Sequence, residues 1–141
     1  MNDAQNISLG SQALLTIDLG AVVANWRAMG ARVAPAQCAA VVKADAYGIG
    51  LEPAALALSR AGCENFFVAQ IAEALRLRAI LGPAPARIYS LNGLPDDAAA
   101  IKALLSADII PVIGSAGEWA LWRAQAPNRK AALHIDTGMN R

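Results

Sequence analysis

One lysine closes an apolar run, Ala40-Val41-Val42-Lys43. A strand end of that kind sets an amine at the rim of a low-dielectric interior, where loss of hydration disfavours the ammonium form. A neutral amine attacks an aldehyde carbon and forms a Schiff base. From position alone the commoner reading is a lysine whose stem lies on apolar surface while its head stays in water. Four residues on, Tyr47-Gly48-Ile49-Gly50 puts a phenol beside two flexible glycines, so that hydroxyl and backbone could approach a phosphate. Alone, that segment reads as an ordinary strand-to-helix turn. A second polar stretch is His134-Ile135-Asp136-Thr137-Gly138-Met139-Asn140-Arg141. His134 and Asp136 are two apart and would share a strand face, although a lone strand histidine is more often a hydrogen-bonded core residue. Arg141 could offer a guanidinium to an anionic ligand atom, or fray as the last residue given.

The elements that must carry these groups alternate. Buried-strand candidates are Ala39–Val42, Phe66–Ala69, Ile88–Leu91, Ile109–Ile113 and Ala131–Ile135, starting 21 to 27 residues apart. Such near-continuous apolar runs suit parallel strands. Leu14–Ile17 stands before the series and is a candidate for another sheet. Between the runs lie helix signals. Asp18 caps a helix to about Val33. Pro53 suits a first turn and Gly62 a C-terminal cap. Ile71, Leu75 and Ala79 repeat every four residues until Gly82-Pro83. Asp96 and Asp97 fall in a first turn, and Ser115 with Glu118 spells a capping box. Trp119 and Trp122 are expected to pack a helix onto the sheet.

This β/α repeat fits two architectures, a doubly wound sheet or part of a (β/α)8 barrel. No GxGxxG or GxxxxGK[ST] is present, which weakens the first. A complete barrel is typically about 250 residues, so five strands in 141 residues make an incomplete one with exposed edges. In either fold the chemistry gathers at the carboxyl ends of the strands. Gln70 follows the second run, Asn92 the third and Gly114-Ser115 the fourth; Lys43, Asp45 and Tyr47 follow the first.

Composition narrows the classes. The chain is 56% hydrophobic and 16% charged, with a net charge of +1. That excludes a disordered chain and gives no electrostatic footprint for nucleic acid or a membrane surface. Aromatics at 5% make a base-stacking platform improbable. No apolar run nears the roughly 18 residues of a membrane span, and residues 1–11 lack the pattern of a signal peptide. Cys38, Cys63 and a single histidine are too few for a zinc site. Reduced thiols in a cytoplasmic protein are the expectation.

Together the two polar segments carry a resemblance. Ala40-Val41-Val42-Lys43-Ala44-Asp45-Ala46-Tyr47-Gly48-Ile49-Gly50 resembles the cofactor-lysine motif of bacterial alanine racemases. Asp136-Thr137-Gly138-Met139-Asn140-Arg141 resembles a second motif of their barrel, and Leu15-Thr16-Ile17-Asp18-Leu19, with Asn25 in the helix that follows, is similar to the family's start. The likeness is collinear from about residue 12 to residue 141. It implies an α/β chain that is the N-terminal portion of a (β/α)8 barrel binding pyridoxal 5'-phosphate (PLP), with about five of eight strands present. On this reading residues 1–141 are an incomplete N-terminal barrel domain without the C-terminal β domain, and roughly 200 further residues would complete the protein.

The resemblance also implies an activity, the interconversion of L- and D-alanine to supply D-alanine for peptidoglycan. By it Lys43 carries PLP and acts as the base on the D-isomer, Tyr47 bonds the cofactor phosphate, and Arg141 faces the phenolic oxygen of the pyridine ring and the nearby substrate. The family works as a homodimer, in which a tyrosine of the partner's β domain serves the opposite face. No nucleic acid or membrane is involved. One departure is visible: His134 stands where many members have a lysine, often carbamylated. Two other readings are a non-catalytic remnant of such a racemase and a single-domain PLP carrier. The Asp136–Arg141 stretch argues against the carrier.

Overall fold

The structure is a computed structural model that describes residues 13–83 and 85–140. Its elements are α1 (Leu19–Val33), β1 (Ala40–Val41), α2 (Lys43–Tyr47), α3 (Leu51–Arg60), β2 (Asn65–Val68), α4 (Ile71–Leu81), β3 (Arg87–Ser90), α5 (Ala98–Ser106), β4 (Ile109–Ile113), α6 (Ala116–Gln125) and β5 (Ala132–Leu133). The strands form one sheet in the order β1-β2-β3-β4-β5, and every pair is parallel. A doubly wound sheet reverses its order at a switch point; this one never does. With right-handed crossovers, an unreversed order sends every connecting helix to the same face. The sheet is therefore a barrel segment, and the doubly wound alternative falls.

Register sorts the strand residues into two rows. Ala40, Phe66, Ile88 and Ile109 lie side by side and are 6%, 0%, 0% and 3% exposed. They face the helices and form the core with Leu51, Leu77, Leu104 and Trp122. One position along, Val41, Phe67, Tyr89 and Ile110 form the other row. Val41 is 46% exposed and the other three are half-buried. The Phe67 and Tyr89 rings stack there at 4.5 Å. Parallel sheets are ordinarily covered on both faces; here one face is open, on the side that would become the interior of a closed barrel.

Most helix boundaries follow the expected chemistry. Asp18 accepts from the Ala21 N–H at 3.0 Å, Pro53 lies in the first turn of α3, and Gly62 beyond its end takes φ +101°. Ile71, Leu75 and Ala79 lie in one helix, α4, which stops at Gly82 and buries Ala74, Leu77 and Leu81. Three expectations need correction. Leu14–Ile17 enters no strand, and Leu14 and Leu15 are 73% and 81% exposed. Asp97 is the cap of α5, bonded to the Ala99 N–H, and both aspartates precede the helix. Of the two tryptophans only Trp122 packs inward, its Nε1 donating to the Arg129 carbonyl at 3.3 Å. Trp119 is 48% exposed, with the Arg123 guanidinium over its ring. Both cysteines are free; burial pushes the Cys63 thiol up, and its Sγ lies 3.4 Å from the Asn65 carbonyl.

Candidate active site

The backbone does something unusual directly after β1. Ala44, Asp45, Ala46 and Tyr47 have φ of 50°, 53°, 54° and 57°. Hydrogen bonds from Ala46 N–H to the Val42 carbonyl (3.1 Å) and from Gly48 N–H to the Ala44 carbonyl (3.0 Å) close it as a left-handed turn. Each L-residue so placed costs about 1–2 kcal/mol, and a strained segment persists only where its surroundings over-determine it. The sequence reading assigned conformational freedom to Gly48 and Gly50; the left-handed path begins four residues earlier, on residues with a Cβ.

The contacts that hold this turn come from α4. Glu73 Oε1 accepts from the Ala44 N–H at 2.7 Å, while Oε2 accepts from the N–H groups of Ala69 (2.8 Å) and Gln70 (3.0 Å). Burial works to raise the Glu73 carboxyl, but the N–H groups of Ala44, Gln70 and Ala69 and the charge of Lys43 hold it below its ordinary value. One turn along, Arg76 pairs with Asp45 at 3.1 Å, and the same Asp45 oxygen accepts from the Leu51 N–H at the start of α3. The sequence reading did not single out Glu73 or Arg76. Its available signal was Gln70-Ile71-Ala72-Glu73, a capping-box spacing with glutamine in the cap position.

Of the expected site residues, the structure brings two together. Lys43 is half-buried, and its Nζ stands 5.8 Å from the centroid of the Tyr47 ring, within reach of a cation–π contact. Tyr47 is 64% exposed. Arg141 lies outside the described residues. The pairing of β5 ends near His134, whose N–H donates to the Ile113 carbonyl at 2.8 Å. β5 ends at Leu133, so the strand face expected to carry His134 and Asp136 together does not reach Asp136. Asp136 turns back on its own loop, accepting from Gly138 N–H (2.9 Å) and Asn140 N–H (3.0 Å).

Those two bonds hold the Asp136 carboxyl below its ordinary value of 3.8. A depressed folded value means that the loop's hold is present above the ordinary range and is lost as pH falls through the folded value. In an NMR acid titration the Gly138 and Asn140 amide signals should move together with the Asp136 carboxyl, with a midpoint below pH 3.8. A midpoint at or above that pH would contradict the geometry.

His134 lines a cleft of about 480 Å³ with Asn92, Gly93, Val112, Ser115 and Glu118. Its Nε2 is buried and bonded to no partner among the described residues. Ser115 Oγ accepts from the Glu118 N–H at 3.2 Å, as the expected capping box requires, while the Glu118 carboxylate accepts from the Gly114 N–H at 2.7 Å, one residue before the cap. Gly93, at φ +76°, leaves room for that carboxylate; a Cβ would collide with it. Among the described residues no helix is long and apolar enough to cross a membrane.

Known proteins are similar to this chain in sequence and in fold. The alanine racemase of Methylobacterium nodulans is 52% identical over 133 residues, which are 92% of this chain and 35% of that protein. A catabolic alanine racemase of Rhizobium johnstonii is 44% identical over 140 residues, 96% of this chain and 36% of its own length. The chain spans about a third of the length of these curated relatives. The crystal structure of alanine racemase from Bartonella henselae with covalently bound pyridoxal phosphate is similar at a TM-score of 0.77 and 45% identity, over 89% of this chain and 35% of that one. The alanine racemase of Corynebacterium glutamicum gives 0.75 at 32% identity, over 89% and 36%. Residues 17–141 match the family described as alanine racemase, N-terminal domain. The five parallel strands match the N-terminal part of the barrel in these structures, and the chain belongs to the alanine racemase N-terminal domain family.

Proposed function

We propose that residues 1–141 are the cofactor-carrying part of an alanine racemase barrel, with Lys43 as the residue that binds PLP covalently. The observation that carries this reading is the pairing of Lys43 with Tyr47 on a strained turn at the carboxyl end of β1. The donor set suits the group: an amine for an aldehyde, a phenol for a phosphate, and the half-buried Phe67–Tyr89 stack on the open face beside β1. PLP, when bound, supplies an electron sink for charge at the substrate α-carbon. The Lys43 amine then takes or returns the α-proton on one face of alanine as a general base or acid. The Tyr47 hydroxyl would hydrogen-bond the cofactor phosphate, and Arg141 would face the phenolic oxygen of the cofactor's pyridine ring and the substrate.

Racemisation needs a second acid/base on the opposite face. Tyr89 does not supply it in this reading, since that residue belongs to barrel strand β3. In this reading a tyrosine from a C-terminal β domain of a partner subunit does so, in a homodimer of full-length chains working in the cytoplasm to provide D-alanine for the cell wall.

The test is direct because lysine occurs only at Lys43, Lys102 and Lys130. The chain is mixed with PLP, reduced with borohydride and mapped by peptide mass. The adduct is expected on Lys43, to be lost in Lys43→Ala. Equal labelling of all three lysines in a folded chain would sink the proposal.

A further inference from the structure

We infer that Glu73 is the positioning residue for Lys43, an inference that rests on the functional reading above. The carboxylate binds the N–H of Ala44, which belongs to the peptide group that Lys43 itself carries on its carbonyl side. Lys43 therefore starts from a peptide plane fixed by a charged acceptor at 2.7 Å. That acceptor is itself fixed, since its second oxygen is held by Ala69 and Gln70 at the end of β2 and the start of α4. One side chain thus ties the strand-end peptides of β1 and β2 to each other. Charge-assisted bonds of this kind are about twice as strong as neutral ones. The second tie, Arg76 to Asp45, has both side chains at least half exposed, and exposed pairs contribute little. The Leu51 N–H also binds Asp45, but Glu73 is the α4 side chain that acts on the peptide group of Lys43 itself.

The consequence is directional. With the turn held, the Lys43 stem leaves the sheet over Tyr47. With it released, Ala44 to Tyr47 can relax to a lower-energy backbone, and the amine departs from its site. A displacement of about 1 Å at a reacting group can cost on the order of 100-fold in rate.

Glu73 also caps α4, and the two roles must be separated. Glu73→Asp keeps the charge at the helix start but shortens by one methylene the reach to Ala44, a partner 29 residues away in sequence. Borohydride-trapped labelling by PLP is compared at Lys43, Lys102 and Lys130 in the parent chain and in Glu73→Asp. The preference for Lys43 is expected to fall about tenfold or more while the helical circular dichroism is kept. A folded Glu73→Asp chain that labels Lys43 within twofold of the parent would overturn the inference and leave the functional reading intact. A parent without preference for Lys43 removes the functional reading and the inference with it. Should Glu73→Asp fail to fold, the unaltered chain still decides. Its Ala44 amide signal must move with the Glu73 carboxyl in an acid titration, and an Ala44 amide indifferent to that carboxyl overturns the inference.

Discussion

Ala46→Val is expected to lower the free energy of unfolding by about 2–4 kcal/mol, while Ala44→Gly, two residues earlier, is expected to raise it by about 0.5–1 kcal/mol. Both figures follow from the handedness of one turn. Ala46 has φ 54° and is 5% exposed. A β-branched side chain is a severe outlier at such a φ, and the added methyl groups enter space that is already filled. Ala44 has φ 50°, and its side chain is exposed. Glycine loses nothing there in packing and relieves the Cβ strain of the left-handed region. In a right-handed turn the second result would reverse sign, since Ala→Gly inside an ordinary helix destabilises by about 1 kcal/mol. Urea denaturation of the two variants reads out the sign. A destabilised Ala44→Gly would refute the left-handed path.

The second large effect lies in the sheet. Phe66→Ala should remove about 3–5 kcal/mol, because a fully buried aromatic is replaced by a cavity. Phe66 is 0% exposed and sits between Ala40 and Ile88 in the row that faces the helices. Against a total stability of about 5–15 kcal/mol, that is a large fraction, and the thermal midpoint should drop by about 10 °C or more. Phe67→Ala, one position along, should remove only about 1–2 kcal/mol: the Phe67 ring is half-buried and has its stack with Tyr89 to lose. Equal losses from the two phenylalanines would mean that the open face is covered in solution.

Much of this frame was legible in the sequence. The five apolar runs became the five strands, with ends shifted by one or two residues, because a buried parallel strand needs a short unbroken apolar run and little else there competes. Asp18 and Ser115 could be read because a cap is a local hydrogen bond. What could not be read depends on contacts between distant residues. Ala44-Asp45-Ala46 has no local feature that demands a left-handed path; its contacts from α4 come from Glu73 and Arg76, 29 and 31 positions further along. Trp119 and Trp122 are alike in sequence, and only the neighbouring Arg129 segment selects Trp122 for the interior. The site followed the same division. Lys43 and Tyr47 were visible as residue types, whereas the residue that fixes their geometry lies on another element.

The unreversed strand order has a consequence for how the polypeptide is made. Each strand pairs with the one that starts 22 to 25 residues before it. Closing such short segments costs little entropy, and the cost is nearly the same at every step. During synthesis each new β/α unit finds its partner already outside the ribosome and can dock as it emerges, with no earlier unit waiting for a later one. The left-handed turn is the exception. It forms only after Glu73 has been translated, so Lys43 is set in place by the second unit, one step behind its own strand.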